Sequence, residues 1–130
     1  MSNNKTIHRV AIIGTGVIGA SWTALFLAKG LEVIATDVAA DAEASLKRFA
    51  KAAWPALERL GLAPGASQSH LTFTSDLPAA VRAADFVQEN GPERIDFKKK
   101  LYRQLDELLP AEVTITYAQG NLTGIAYTEI

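Results

Sequence analysis

Apolar and polar positions along this chain fall into two alternating rhythms. Short apolar or alternating runs at Val10-Ala11-Ile12-Ile13, Leu31-Glu32-Val33-Ile34-Ala35-Thr36, Leu71-Thr72-Phe73-Thr74, Asp85-Phe86-Val87-Gln88-Glu89 and Val113 to Tyr117 have the length and β-branched content of strands. Between them lie segments whose apolar residues recur at three- and four-residue steps, as helices require. The first continues from the opening strand as Ala20-Ser21-Trp22-Thr23-Ala24-Leu25-Phe26-Leu27-Ala28 and ends at Lys29-Gly30. Ala39 to Leu60, with Leu46, Phe49, Ala53, Leu57 and Leu60 on one stripe, predicts a long amphipathic helix ending at Gly61. Pro55 removes an amide donor inside it, which predicts a kink or a break into two helices near Trp54. Gly61 to His70 reads as a loop. Leu77 to Ala84 predicts a brief helix capped by Ser75 or Asp76. Glu93 to Leu109 predicts a second long helix, with Ile95, Phe97, Leu101, Leu105 and Leu108 facing inward and Pro110 closing it. Strands alternating with helices predict an α/β fold, a doubly wound parallel sheet in the order 3-2-1-4-5.

The first strand breaks into Gly14-Thr15-Gly16-Val17-Ile18-Gly19, a Gly-x-Gly-x-x-Gly turn that leads straight into a helix. In a Rossmann-type dinucleotide site each glycine has its own task. Gly14 permits the sharp turn, Gly16 lets the backbone approach a pyrophosphate, and Gly19 lets the helix pack closely. The free amide groups and dipole of the new helix then favour an anion. Glycine turns also serve ordinary loops, so the surroundings must decide. The second strand delivers Asp37 at its end, at the spacing of about 20 residues expected of an acid that binds the adenosine ribose. Asp37 is equally a residue type that caps a helix starting near Ala39. With no Arg or Lys in Val38-Ala39-Ala40, the turn favours NAD over NADP.

Composition narrows the function classes. The chain has 130 residues, 48% hydrophobic and 21% charged, with a net charge of −1. One globular domain with a substantial core fits these values, and nothing draws the chain toward nucleic acid or an anionic membrane. No apolar run is long enough to span a bilayer, and the polar Met1 to Lys5 stretch has no signal-peptide core. The absence of cysteine excludes disulfides, thiolate zinc sites and a cysteine nucleophile, and fits a cytoplasmic location.

Glu89-Asn90-Gly91-Pro92-Glu93 follows the fourth strand at the edge where the glycine turn lies. Residues there can touch a cofactor, or Glu93 can simply support the next helix through its dipole. Lys98-Lys99-Lys100 reads as a solvated helix face, because no wider basic surface accompanies it. His8 and His70 precede the first and third strands, away from that edge, and read as surface residues. Two separated histidines and no cysteine do not make a metal site. Trp22 reads as a packing residue near enough to the turn to wall it. No Gly-x-Ser-x-Gly elbow supports a hydrolase.

Gly14-Thr15-Gly16-Val17-Ile18-Gly19-Ala20-Ser21-Trp22, Asp37, Asp85-Phe86-Val87-Gln88-Glu89 and Pro92-Glu93-Arg94-Ile95-Asp96-Phe97-Lys98 together resemble the 3-hydroxyacyl-CoA dehydrogenase NAD-binding domain family. Within that family the likeness is to the branch of carnitine 3-dehydrogenase and lambda-crystallin (gulonate 3-dehydrogenase). It runs from about residue 7 to residue 113. The resemblance implies NAD as cofactor, hydride transfer with a secondary alcohol, a small-molecule substrate, Asp37 on the adenosine ribose, and Glu93 with Lys98 near the nicotinamide ribose. It also implies departures: where the family has a substrate-contacting serine after its fifth strand, this chain places Gly120 in Tyr117-Ala118-Gln119-Gly120-Asn121-Leu122. The family's catalytic histidine and its glutamate lie in and around a helical second domain. The expectation is therefore a dinucleotide-binding domain over 1–130 without that second domain, with no catalytic residue of its own, inactive alone, and open to homo-oligomerisation. Two rivals are a non-catalytic nucleotide-binding sensor and a methyltransferase; Gly19 and the Glu93/Lys98 segment count against the latter.

Overall fold

A computed structural model describes residues 7–90, 95–110 and 113–117, with the side chains of 95–98 and 114–117 excepted. The elements are β1 (Arg9–Ile13), α1 (Val17–Ala28), β2 (Glu32–Thr36), α2 (Ala42–Leu60), β3 (Leu71–Phe73), α3 (Leu77–Val81), β4 (Phe86–Glu89), α4 (Ile95–Leu108) and β5 (Thr114–Tyr117). A single 3-10 turn, Gln68–His70, leads into β3. All five strands pair in parallel in the order β3-β2-β1-β4-β5, as the alternating pattern predicted.

The register fixes where chemistry can occur. Ile13 pairs with Thr36 on one side and with Glu89 on the other. Gly14, Asp37 and Asn90 therefore emerge side by side at the carboxyl edge. From β1 the chain crosses one way to β2 and returns the other way to β4, so this edge is also the switch point of the sheet, where such folds open a crevice.

Both faces of the sheet are covered, which is why its strands read as nearly continuous apolar runs. On one face Val10, Ile12, Val33 and Ala35 pack with Ala20 and Leu27 of α1 and Leu46 and Ala50 of α2. Ala11, Ile13 and Val87 meet Ala80 and Val81 of α3 and Leu101, Tyr102 and Leu105 of α4 on the other. Ile12, Leu27, Leu46 and Leu105 are fully buried, each contributing about 1.5–3 kcal/mol of transfer free energy.

Several boundaries differ from the sequence pattern for local reasons. Helix α2 runs unbroken through Pro55, without the predicted division. Lys51, whose carbonyl loses its helical donor, is exposed, and water can satisfy it. The same helix starts at Ala42 after a turn in which Ala42 N–H donates to the Ala39 carbonyl at 3.2 Å. Its far end leaves the core, so Leu60 is 84% exposed and not part of the buried stripe. Helix α3 stops at Val81 because the chain must turn at Ala84 to enter β4. Asp85 precedes that strand as a latch. Its carboxylate accepts from the amides of His8 and Arg9 at 2.8 and 3.0 Å, joining β4 to the start of β1.

Candidate functional site

The glycine turn joins β1 to α1 through backbone geometry that only its sequence allows. Gly14 has φ of +91°, a conformation costly for any side chain. Its amide donates to the Thr36 carbonyl at 2.9 Å, fastening the turn to β2. Gly19, one turn into α1, lies directly beneath: a Cβ there would sit 1.9 Å from the Gly14 carbonyl oxygen. Between them Gly16 is the N-cap of α1, and a Cβ on it would meet nothing within 4 Å. No side chain caps this helix end and no acidic residue occupies its first turn. The terminal amides and the dipole thus remain available to an anion, with open space beside Gly16 to admit it.

Asp37 is held from two directions. Its Oδ2 accepts from the Thr15 amide at 2.7 Å and from the Thr15 hydroxyl at 3.0 Å. Oδ1 accepts from the Ala39 amide at 3.0 Å, a local Asx turn. The N-cap position of α2 belongs to Asp41, so Asp37 does not cap that helix. Partial burial pushes the Asp37 carboxyl up, but hydrogen bonds outweigh it: first from the Thr15 backbone, then from Ala39, the Thr15 hydroxyl and Val38. The net effect holds the group below the usual carboxylate range, ionised at neutral pH.

Opposite Asp37 a second polar group supports the turn. The Asn90 amide donates to the Ile13 carbonyl at 2.7 Å, and its Nδ2 donates to the Gly14 carbonyl at 3.3 Å. Gln88, buried on the same face of β4, donates through Nε2 to Asn90 Oδ1 at 3.2 Å. Glu89 is fully buried on the other face and accepts from the Tyr102 hydroxyl at 2.9 Å. Sequence reading missed Gln88 and Asn90 as supports of the turn. The signal was available: two amide side chains at i and i+2 on one strand face, at the edge beside a glycine turn.

A cleft of about 650 Å³ opens at this edge, lined among others by Gly14, Gly16, Asp37, Val38, Asn90 and Lys100. Gly14, Gly16 and Asp37 thus share one cavity, while Gly19 supports its floor. Val17 and Ile18 are exposed on the first turn of α1. Thr15 is only 8% exposed and faces Asp37 instead of the cleft. Lys100 lines the cleft from α4, so the lysine run is not merely a solvated face. Trp22 does not wall the cleft; it stacks on Phe26 with centroids 5.5 Å apart. His8 lies at the amino end of β1, and partly buried His70 lies at the amino end of β3, opposite to the cleft. Its Nδ1 is buried with no hydrogen-bond partner among the described residues, so His70 is only partly at the surface expected of it. Glu93 and Gly120 lie outside the described residues, and Lys98 is within α4 with its side chain outside them. Among the described residues no group of His, Cys, Asp and Glu could hold a metal, and no helix is long and apolar enough to cross a membrane.

Residues 9–122 match the family described as 3-hydroxyacyl-CoA dehydrogenase, NAD binding domain. An L-carnitine dehydrogenase from Streptomyces griseus is 55% identical over 111 residues, 85% of this chain and 33% of that protein. The L-carnitine dehydrogenase of Streptomyces coelicolor is 51% identical over 115 residues, 88% of this chain and 36% of its own length. Among solved structures, the 3-hydroxybutyryl-CoA dehydrogenase of Escherichia coli K12 superposes with a TM-score of 0.81 at 27% identity, covering 94% of this chain and 26% of that one. The chain spans about a third of the length of the curated relatives it matches.

Proposed function

This chain belongs to the 3-hydroxyacyl-CoA dehydrogenase NAD-binding domain family, and on that premise we propose that its carboxyl-edge cleft seats NAD as the cofactor half of a dehydrogenase acting on a secondary alcohol. In this reading Gly14, Thr15, Gly16, Val17, Ile18 and Gly19 form the pyrophosphate turn and Asp37 accepts from the adenosine ribose. Glu93 and Lys98 are assigned to the nicotinamide ribose by family resemblance. The observation that carries the reading is the union of an uncapped helix end, an open Gly16 and an ionised Asp37 in one cleft.

These residues fit the cofactor's chemistry. A diphosphate needs donors and a positive dipole end, which the start of α1 supplies; a ribose diol needs an acceptor, which Asp37 supplies. When bound, NAD would supply the acceptor for the hydride that leaves the alcohol carbon. The described residues of this chain bind and orient; they offer no histidine at the cleft to take the alcohol proton, since His8 and His70 lie at the opposite edge. The carnitine-type alcohol is proposed as substrate because two relatives more than half identical to this chain carry that name. We assign the protein to the cytoplasm, where a chain without cysteine is at no disadvantage.

Titrating NADH and following its fluorescence tests the reading. Saturable enhancement that Gly16→Val abolishes is expected. Enhancement of equal strength in that variant, with unchanged circular dichroism, would place the cofactor elsewhere.

A further inference from the structure

Thr15 occupies the first variable position of the glycine turn, yet its side chain does not serve the cleft. It is 8% exposed and is absent from the cleft lining. A buried hydroxyl must find a partner, and this one donates to Asp37 Oδ2 at 3.0 Å, alongside its own amide at 2.7 Å. Asp37 does line the cleft, and it has no capping duty on α2 to explain its fixed orientation.

A carboxylate offers about four lone-pair sites. Thr15 takes both of those on Oδ2, while the turn amides of Ala39 and Val38 also donate to the carboxylate. Oδ2 is thereby committed to Thr15, and Oδ1 is the oxygen that an incoming hydroxyl can share. We infer that Thr15 is a positioning residue for cofactor choice, clamping Asp37 so that one carboxylate oxygen is held for the ribose diol and its charge opposes a 2′-phosphate. The inference rests on the NAD reading of the cleft and adds to it the residue that sets selectivity from behind the acid. Pairing of turn and acid also joins the two halves of the site: the loop that receives the diphosphate carries the donors that orient the ribose acceptor.

Thr15→Val keeps the shape and the amide but removes the hydroxyl. NADH affinity should fall by about three- to tenfold, the worth of part of one charged hydrogen bond, while NADPH affinity should not fall. The NADH-to-NADPH preference should therefore narrow by about threefold or more, and Thr15→Ser should restore it. In an Asp37→Ala background, Thr15→Val should leave the preference unchanged, because a residue acting through Asp37 has nothing left to act on. A purely structural role would weaken both cofactors alike. If Thr15→Val does not fold, the same ratio is read on Thr15→Ala. Wild-type preference in the folded hydroxyl-free variant overturns the role of Thr15 alone; a wild type that binds neither cofactor overturns the NAD reading and this role with it.

Discussion

Gly19→Ala should cost stability, whereas Gly16→Val, three residues earlier in the same motif, should cost chiefly binding. At position 19 the new Cβ would lie 1.9 Å from the Gly14 carbonyl oxygen and 2.9 Å from its carbon. Both are backbone atoms of a turn fastened to β2 by the Gly14 amide and to β4 by Asn90. Neither can yield like a side chain tip, so α1 must lift from the sheet or the turn must move. Overpacking costs about 1–3 kcal/mol, and loss of the Asn90 bond adds about 1 kcal/mol. Alanine returns up to about 1 kcal/mol as a better helix former than glycine. A net loss of about 2 kcal/mol remains, or a fall in Tm of roughly 6–10 °C for a chain of this size. At position 16, φ of −66° suits any residue and nothing stands within 4 Å, so the loss should stay within about 1 kcal/mol, the cost of exchanging glycine for valine at an N-cap. Valine there fills the space the diphosphate needs, and NADH affinity should collapse. Urea titration and NADH fluorescence on both variants separate the effects. A Gly19→Ala protein as stable as wild type would refute the close approach of helix and turn.

NADH should bind at least about tenfold more tightly than NADPH, because Asp37 opposes a 2′-phosphate, and Asp37→Ala should narrow the gap; comparative titrations check this even though Lys100 at the cleft gives a phosphate some attraction. Since the folded-state pKa of Asp37 is depressed, its contribution to stability is present above the unfolded value of about 3.9 and fades as pH falls through the lower folded value. Urea midpoints measured from neutral pH down to about pH 3 should therefore drop more steeply in wild type than in Asp37→Asn, and parallel curves would contradict the clamp. Asn90→Ala should cost about 1–3 kcal/mol by stripping partners from the Gly14 carbonyl and from buried Gln88, with weaker NADH binding in the same variant. The chain should bind NADH yet show no steady dehydrogenation of carnitine, gulonate or a 3-hydroxyacyl-CoA; turnover lost in His8→Ala or His70→Ala would relocate the active site.

Period and punctuation made most of the fold legible in advance. Strands alternating with helices announced a parallel sheet, and the Gly-x-Gly-x-x-Gly turn with an acid at the end of the next strand announced its switch point. These features are local: each depends on residues close in sequence and on backbone preferences that residue type sets. What depends on solvent exposure was not legible. Pro55 leaves α2 unbroken because Lys51 faces water, and Leu60 keeps the helical period yet stands outside the core. Contacts between distant segments were equally hidden. Thr15 reads as a turn residue until β2 brings Asp37 to its hydroxyl, and Asn90 reads as part of a loop until the register sets it against Gly14. Lys100 reads as one of three solvated lysines until α4 packs along the cleft. Local residue patterns thus set the order of elements and the residue types at the edge of the sheet; only the folded chain shows which side chains hold that edge in shape, because register and packing bring together donors and acceptors that no local pattern pairs.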